Sequence, residues 1–133
     1  MDEPIEAAPP QLAGDEAITL AYRLFDLARE GDATGLAIYV DAGLPVDLTD
    51  SKGNTLLMLA AYHCHAETVR MLLSLGADPN RINDRGQTPL AGAVFKKAYD
   101  VIAALREAGA DPDLGHPSAR ATVQFFGVDV DVG

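Results

Sequence analysis

The tetrapeptide Gly-Ala-Asp-Pro occurs at residues 76–79 and again at 109–112, so the two copies stand 33 positions apart. The same shift superposes other residues of the two segments, for example Leu57 on Leu90. A fixed period of this length is typical of stacked repeats, in which no unit can bury its apolar face alone. Such solenoids present extended binding surfaces. We therefore expect a repeat protein whose function lies in its surface and not in a catalytic centre.

The period divides the chain into successive parts. Residues 1–14 are acidic and rich in proline, which predicts a flexible lead-in. Asp15 is expected to cap the first helix of the repeat domain, and Pro117-Ser118 to lead into a last short helix over 119–126. The domain spans 15–128, with a degenerate capping repeat at 15–49, full repeats at 50–82 and 83–115, a half-repeat cap at 116–128 and a tail at 129–133.

Each full unit predicts two antiparallel helices followed by a projecting turn. In the second unit, apolar residues at helical spacing cluster over 56–61 and again over 69–73. Gly76, and Gly109 one period later, are placed to end the second helix in the left-handed conformation that glycine adopts without strain. The segment 77–86 is rich in Pro, Asn, Asp and Gly and therefore predicts an extended turn.

This pattern resembles that of the ankyrin-repeat family. The third unit carries Thr88-Pro89-Leu90 before its first helix and Gly109-Ala110-Asp111 after its second, and the second unit carries Gly76-Ala77-Asp78. The C-terminal Pro117-Ser118-Ala119 and Phe125-Phe126-Gly127 are similar to the cap of small bacterial members. The resemblance implies an all-α ankyrin-repeat solenoid of stacked helix-turn-helix units with projecting β-turn or hairpin loops.

Two departures from the family pattern carry structural expectations. Met58 and Ala91 replace the family's Thr-Pro-Leu-His histidine, which leaves the threonine three residues earlier in each unit mainly as a helix cap. Cys64 and Lys97 stand where the family has a glycine between its two helices. Each is expected to cost roughly 1 kcal/mol, because a side chain is forced into a conformation that favours glycine.

Composition narrows the classes of partner. The chain has 20 acidic and 10 basic residues and a formal net charge of −10. A field of that sign repels phosphate backbones and anionic lipids, so we expect neither nucleic-acid nor membrane binding. No apolar run approaches the roughly 20 residues of a membrane span, and the acidic N-terminus does not read as a secretory signal. With Cys64 as its single cysteine, the chain is predicted to be cytoplasmic.

The sequence offers little for chemistry. His63-Cys64-His65 is the only cluster of metal-type ligands, and no second pair has a spacing that completes a zinc site, so we expect neither metal nor cofactor. His65 fills the family's own histidine position and is predicted to brace the turn between the helices. Neighbours in sequence cannot easily align as a Cys–His nucleophile, so no catalytic residue is expected. Asp78 and Asp111 recur at the repeat period, which predicts turn-forming carboxylates.

The family's variable positions lie on the turn tips and on the concave face of the first helices. Tyr62 and Phe95 stand one period apart and are expected to be neighbours along the groove, as are His63 and Lys96. Aromatic rings edged by cations have the composition of a binding hot spot, and could attract an acidic peptide. The alternative is that the two rings only cover the core. The predicted partner-binding residues are Ser51, Lys52, Asn54, Tyr62, His63, Ile82, Asp84, Arg85, Gln87, Phe95 and Lys96, with Arg29 and Glu30 from the first unit.

The favoured function is a monomeric, non-enzymatic module that binds a protein or peptide through the concave groove and the turn tips. One alternative is an acidic inhibitor or immunity protein that occludes a basic protein surface, and whose binding would depend steeply on salt. Another is a redox- or metal-responsive element that works through Cys64. An enzyme is not expected, because no nucleophile, base and oxyanion donor can be assembled from these residues.

Overall fold

The computed structural model describes residues 14–133. Seven α-helices lie in this part of the chain, and its β-type pairings are two isolated bridges, Thr49 to Thr55 and Gly115 to Ser118. The predicted lead-in lies outside the described residues except for Gly14, which begins the first helix. The helices are α1 Gly14–Glu30, α2 Ala33–Asp41, α3 Leu56–Tyr62, α4 Ala66–Ser74, α5 Pro89–Phe95, α6 Tyr99–Glu107 and α7 Ala119–Phe126.

The helices form two layers. In the inner layer α1, α3, α5 and α7 contact one another in chain order, and in the outer layer α2, α4 and α6 do the same. Each outer helix packs on the inner helix that precedes it. Each element therefore meets mainly its own unit and the next, as in a solenoid. The expected all-α stack of helix pairs is confirmed.

The core follows the repeat period. Leu57 and Leu90 are both buried on the inner helices, and Leu72 and Leu105 are both buried on the outer ones. Equivalent positions of neighbouring units therefore meet in one continuous cluster of apolar side chains. Since each unit contributes the same side of the same helices, the period seen in the sequence is also the period of packing.

The predicted helix caps form, with one exception. The hydroxyl oxygens of Thr55 and Thr88 accept hydrogen bonds from the backbone N–H groups of Met58 at 3.0 Å and Ala91 at 3.1 Å. The prediction for Asp15 is wrong, because α1 already begins at Gly14 and Asp15 lies within the first turn. A carboxylate there still complements the positive end of the helix dipole.

The predicted turn carboxylates also form. Asp78 accepts a hydrogen bond from the backbone N–H of Asn80 at 2.8 Å, and Asp111 accepts one from Asp113 at 2.9 Å. The side-chain oxygen of Asn80 in turn accepts from the backbone N–H of Asp111 at 2.8 Å. These carboxylates and amides therefore fix each turn internally and tie it to its neighbour, as expected of residues that recur at the repeat period.

The turn between the two helices of a unit is left-handed in all three units. The φ angles are +78° at Gly31, +67° at Cys64 and +57° at Lys97. The expectation that Cys64 and Lys97 occupy a glycine-type conformation is confirmed. A β-carbon in this region crowds the following carbonyl oxygen, so both residues carry local strain.

We expect Cys64→Gly and Lys97→Gly each to raise the free energy of unfolding by about 1 kcal/mol, because glycine removes the left-handed strain. Urea unfolding followed by circular dichroism measures the change. Lys96→Gly is the matched control, since Lys96 has a right-handed backbone with φ −82° and gains nothing from glycine. Equal stabilisation by all three substitutions would contradict the strain argument.

The C-terminal segment after α7, which includes the predicted tail at 129–133, packs onto the stack. Val128 and Val132 are buried in the core cluster, while Asp129 and Asp131, which lie between them in sequence, are exposed. Asp131 lies 3.9 Å from the guanidinium of Arg106 on α6. The segment therefore covers apolar surface beside α6 with an alternating strip of residues.

Candidate functional site

Two projecting turns, 50–54 and 83–87, are each held in shape by the side chain of their first residue. The Asp50 carboxylate accepts hydrogen bonds from the backbone N–H groups of Lys52 and Asn54, both at 2.9 Å. Burial alone would raise the pKa of Asp50, but hydrogen bonds from Asn54 and Lys52 and the charge of Arg29 lower it below its usual value. The carboxylate is therefore stabilised in its charged form.

Asn83 does the same one period later and also joins the two turns. Its side-chain oxygen accepts from the backbone N–H groups of Arg85 at 3.0 Å and Gln87 at 2.9 Å. Its amide nitrogen donates to the side-chain oxygens of Asn54 and Gln87, both at 2.8 Å. Asn83 is only 8% exposed, so this network is partly shielded from water and holds the turns in fixed register.

A groove of about 560 Å³ lies between these turns and the inner helices α3, α5 and α7. The structure brings together six of the residues predicted to bind a partner. They are Lys52, Asn54, Tyr62, Arg85, Gln87 and Phe95. The volume lies within the range of roughly 300–1,000 Å³ that is usual for ligand-binding pockets.

The other predicted residues do not line the groove. Ser51, Ile82 and Asp84 are exposed on the turns. His63 and Lys96 follow the ends of α3 and α5, where they cap the helices through their backbone N–H groups. Near the end of α1, the Arg29 guanidinium is paired with Asp26 at 3.0 Å, and Glu30 is exposed.

Three aromatic rings line the groove. Tyr62 is 41% exposed and Phe95 50% exposed. The Phe95 ring packs edge-to-face on Phe126 with centroids 5.3 Å apart. Tyr62 instead meets His63 edge-on at 5.7 Å and lies 4.9 Å below the ammonium nitrogen of Lys96. The groove thus has one aromatic wall on α3 and another across α5 and α7.

Small residues form the floor between these walls. Ala91 and Gly92 both line the groove on α5. A β-carbon on Gly92 would lie 3.6 Å from Tyr62 Cδ1, which is an ordinary van der Waals contact. Apart from its two chain neighbours, no other side chain in residues 14–133 would come within 4 Å of it. Because residue 92 is glycine, the space that a side chain would fill beside Tyr62 is empty.

Sequence reasoning missed several lining residues. Met58 and Ala91 depart from the family's histidine position, but that departure does not by itself predict that they line the groove. Phe126 and Thr122 were missed because the period fails in the C-terminal cap: Ser118 caps α7 only 30 positions after Thr88 caps α5. Aligning the caps instead of the tetrapeptides would have placed α7 against the groove. The lining residues outside the predicted set include Met58, Ala91, Gly92, Pro117, Thr122 and Phe126.

The charge of the groove is opposite to that of the chain. Among the described residues that line it, none is Asp or Glu, while Lys52 and Arg85 both lie there. Within residues 14–133, neither of these two cations takes part in an ion pair. The paired arginines, Arg29, Arg70, Arg106 and Arg120, all lie outside the groove.

His63 contributes less positive charge than its sequence position suggests. Burial lowers the pKa of His63, and the nearby charges of His65, Lys96 and Arg29 lower it further. Because each of these favours the neutral imidazole, Lys96 is the main cation beside Tyr62 near neutral pH.

His65 acts between units and not only within its own turn. Its Nε2 lies 2.7 Å from the backbone carbonyl oxygen of Arg29, at the end of α1. Its ring also covers Gly31 of the preceding turn. The predicted bracing role therefore extends to the junction of the first and second units.

Other kinds of site are not formed by the described residues. Over 14–133, no group of three or more His, Cys, Asp or Glu side chains is placed to hold a metal ion. Cys64 is exposed and unpaired. No helix in the same range is long and apolar enough to cross a bilayer.

Comparisons with known proteins point to one family. An ankyrin repeat protein of Pseudomonas aeruginosa is 49% identical over 56 residues, which cover 42% of this chain and 33% of that protein. An ankyrin repeat-containing protein of Treponema pallidum is 36% identical over 115 residues, which cover 86% of this chain and 37% of that protein. The chain thus spans about a third of the length of these two bacterial relatives.

A match to a plant protein kinase covers a smaller share of that protein. Serine/threonine-protein kinase 12 of Arabidopsis thaliana is 36% identical over 109 residues, which cover 82% of this chain but 23% of that protein. The family model for ankyrin repeats (3 copies) matches residues 24–115, which include the helices from within α1 through α6. Since this match covers well over half of the chain, the chain belongs to the ankyrin-repeat family.

Proposed function

We propose that the chain is a non-enzymatic interaction module that binds a protein or peptide in the groove between its turns and inner helices. Ankyrin repeats generally mediate protein–protein interaction, which supports the class of function. The observation that carries the proposal is the exposure of Tyr62 and Phe95 within one groove. Large rings that are half exposed in a concave surface can bury their remaining area only against a partner.

The distribution of polar groups favours binding in the groove rather than binding at the turn tips alone. Asn54 and Gln87 are held by Asn83, so the polar side of the groove is fixed before a partner arrives. A preformed surface loses less conformational entropy on binding than a mobile one. In this proposal the aromatic rings supply most of the affinity, and the turn residues supply orientation.

The proposal also covers the place of action. A cytoplasmic location is supported by the exposed, unpaired thiol of Cys64, which suits a reducing compartment. The chain spans about a third of the length of its bacterial relatives. The proposed role is therefore that of this domain alone.

Tyr62→Ala/Phe95→Ala is expected to weaken binding of the native partner by about 30-fold or more, which equals the roughly 2 kcal/mol of a hot spot. The measurement is affinity capture from source-cell extract, followed by titration of the captured partner against each variant. Tyr22→Ala/Tyr99→Ala is the matched control, because it also removes two exposed aromatic rings but neither lines the groove. The control should change the affinity by less than about threefold, as is usual for surface positions.

A second variant blocks the groove without removing a ring. Gly92→Leu fills the space beside Tyr62 and replaces a mid-helix glycine by a good helix former, so it should fold at least as well as the wild type. It should also lose the partner. A partner that stays bound to both groove variants but is released by salt would overturn the proposal in favour of the acidic inhibitor.

A further inference from the structure

We infer that the partner presents an acidic segment with a large apolar side chain at its centre, which enters between the aromatic walls of the groove. This inference rests on the proposed function and specifies the partner's chemistry. The acidic residues would face Lys52 and Arg85 on the turn side, and the apolar side chain would lie over Ala91 and Gly92. Lys96 does not line the groove, but its ammonium over the Tyr62 ring adds positive charge at the helix side.

The charge distribution favours an anionic partner. A chain with 20 acidic and 10 basic residues would by chance line its groove with more acids than bases, yet none of the described lining residues is acidic. Lys52 and Arg85 have no ion-pair partner within the described range, so both charges are available to a bound segment. Screening acts over about 8 Å at physiological ionic strength, so a segment bound in the groove is shielded from most of the net charge of −10. The carboxylates of the same turns, Asp50 and Asp84, are not among the lining residues.

The two turn cations are also held in place. The backbone N–H of Lys52 donates to Asp50, and that of Arg85 donates to Asn83. The backbone N–H of Asp84 donates to the carbonyl oxygen of Lys52 at 3.0 Å, which links the turns directly. Because both side chains start from fixed backbone positions on one side of the groove, they can contact successive carboxylates of one segment.

The apolar part of the groove favours one bulky side chain. The Phe95 and Phe126 rings pack edge-to-face, and Phe126 packs in the same way on Phe125 with centroids 4.9 Å apart. These contacts hold one wall, and Tyr62 forms the other across the small residues Ala91 and Gly92. A phenylalanine or leucine placed there would bury apolar area on three sides, whereas a glutamate would lose its hydration without a cation over the floor.

A nucleic acid also combines negative charge with rings that stack, but it fits less well. Its backbone carries a charge at every nucleotide, so the parts outside the groove would be repelled by the acidic remainder of the surface. A peptide segment can confine its carboxylates to the groove. We therefore assign the site to a peptide.

The test uses three fluorescein-labelled peptides, GDEFDEG, GKKFKKG and GDEADEG, titrated against the full chain by fluorescence anisotropy at physiological salt. The first should bind at least about tenfold more tightly than the second, which reverses the charges, and than the third, which lacks the apolar side chain. Lys52→Glu/Arg85→Glu should weaken binding of GDEFDEG by about tenfold or more. The control Arg23→Glu/Lys97→Glu makes the same change of charge at exposed positions outside the groove and should leave it within about threefold.

Each contrary outcome has a distinct meaning. Equal binding of GDEFDEG and GKKFKKG, or displacement of GDEFDEG by single-stranded oligothymidylate at matched charge concentration, would overturn the acidic-peptide assignment. The interaction module would still stand if its native partner is lost from Gly92→Leu. Binding of GDEFDEG that survives both Gly92→Leu and Tyr62→Ala/Phe95→Ala would place the peptide outside the groove and overturn this inference. Circular dichroism of every variant confirms that it is folded.

Discussion

Leu90→Ala is expected to lower the free energy of unfolding by about 2–5 kcal/mol, the usual effect of truncating a fully buried leucine. Leu90 is 1% exposed and lies on α5, which contacts α3, α6 and α7. The cavity would therefore open on a helix that packs against three others. In a solenoid each unit contacts only its two neighbours. A cavity in a central unit therefore weakens its interfaces on both sides.

Urea unfolding at equilibrium measures this effect, with Ile82→Ala as the control. Ile82 is apolar and of similar size but is 43% exposed on a turn, so its truncation should cost less than about 0.5 kcal/mol. A cost below about 1 kcal/mol for Leu90→Ala would mean that the inner layer is loosely packed at its centre. Partner binding should weaken in parallel with stability only when the variant is measured close to its unfolding midpoint.

Most of the fold could be predicted because the same period governs sequence, turns and packing. The pairs Leu57 with Leu90 and Leu72 with Leu105 are buried at equivalent positions, so one register fixes both layers. The caps and the left-handed turns follow from single residue types at fixed places in each unit. Local and global signals agree here, which is why a single sequence was sufficient.

The C-terminal end could not be predicted in the same way, because it does not keep the period. The cap Ser118 comes three positions early relative to Thr88, which moves Phe126 to the edge of the groove. There its ring packs on Phe95, a contact that the repeat period does not predict. The strip containing Val128 and Val132 is short and has no helical spacing, and its burial depends on α6.

The candidate site was predictable in its position but not in its arrangement. The aromatic and cationic residues Tyr62, Phe95, Lys52 and Arg85 were found from the family's variable positions, and all four line the groove. The absence of acidic side chains from the described lining could not be read from the chain, because Asp50 and Asp84 flank the same turns. Which side of a turn faces the groove is decided by its hydrogen bonds, such as those of Asp50 and Asn83.

Gly31→Ala is expected to lower the free energy of unfolding by about 2–3 kcal/mol. About 1–2 kcal/mol comes from the left-handed backbone, with φ +78°. The remainder comes from His65, because a β-carbon on Gly31 would lie 2.5 Å from its Nδ1 and 2.6 Å from its Cγ. The ring would have to move and would lose its hydrogen bond to the Arg29 carbonyl oxygen, worth roughly 0.5–1.5 kcal/mol.

Gly76→Ala is the matched control, since Gly76 also has a left-handed backbone, with φ +98°, but its β-carbon would meet nothing within 4 Å. It should cost only the backbone part. In a double-mutant cycle, the cost in stability of Gly31→Ala in a His65→Ala background should fall to the same value as that of Gly76→Ala, and an unchanged cost there would contradict the steric role of His65.

The same reasoning explains why the second unit tolerates Cys64 at the position equivalent to Gly31. One period after His65 the chain has Ala98, which carries no ring to cover that turn. The junction of the first two units therefore requires glycine and histidine together, whereas the next junction requires neither.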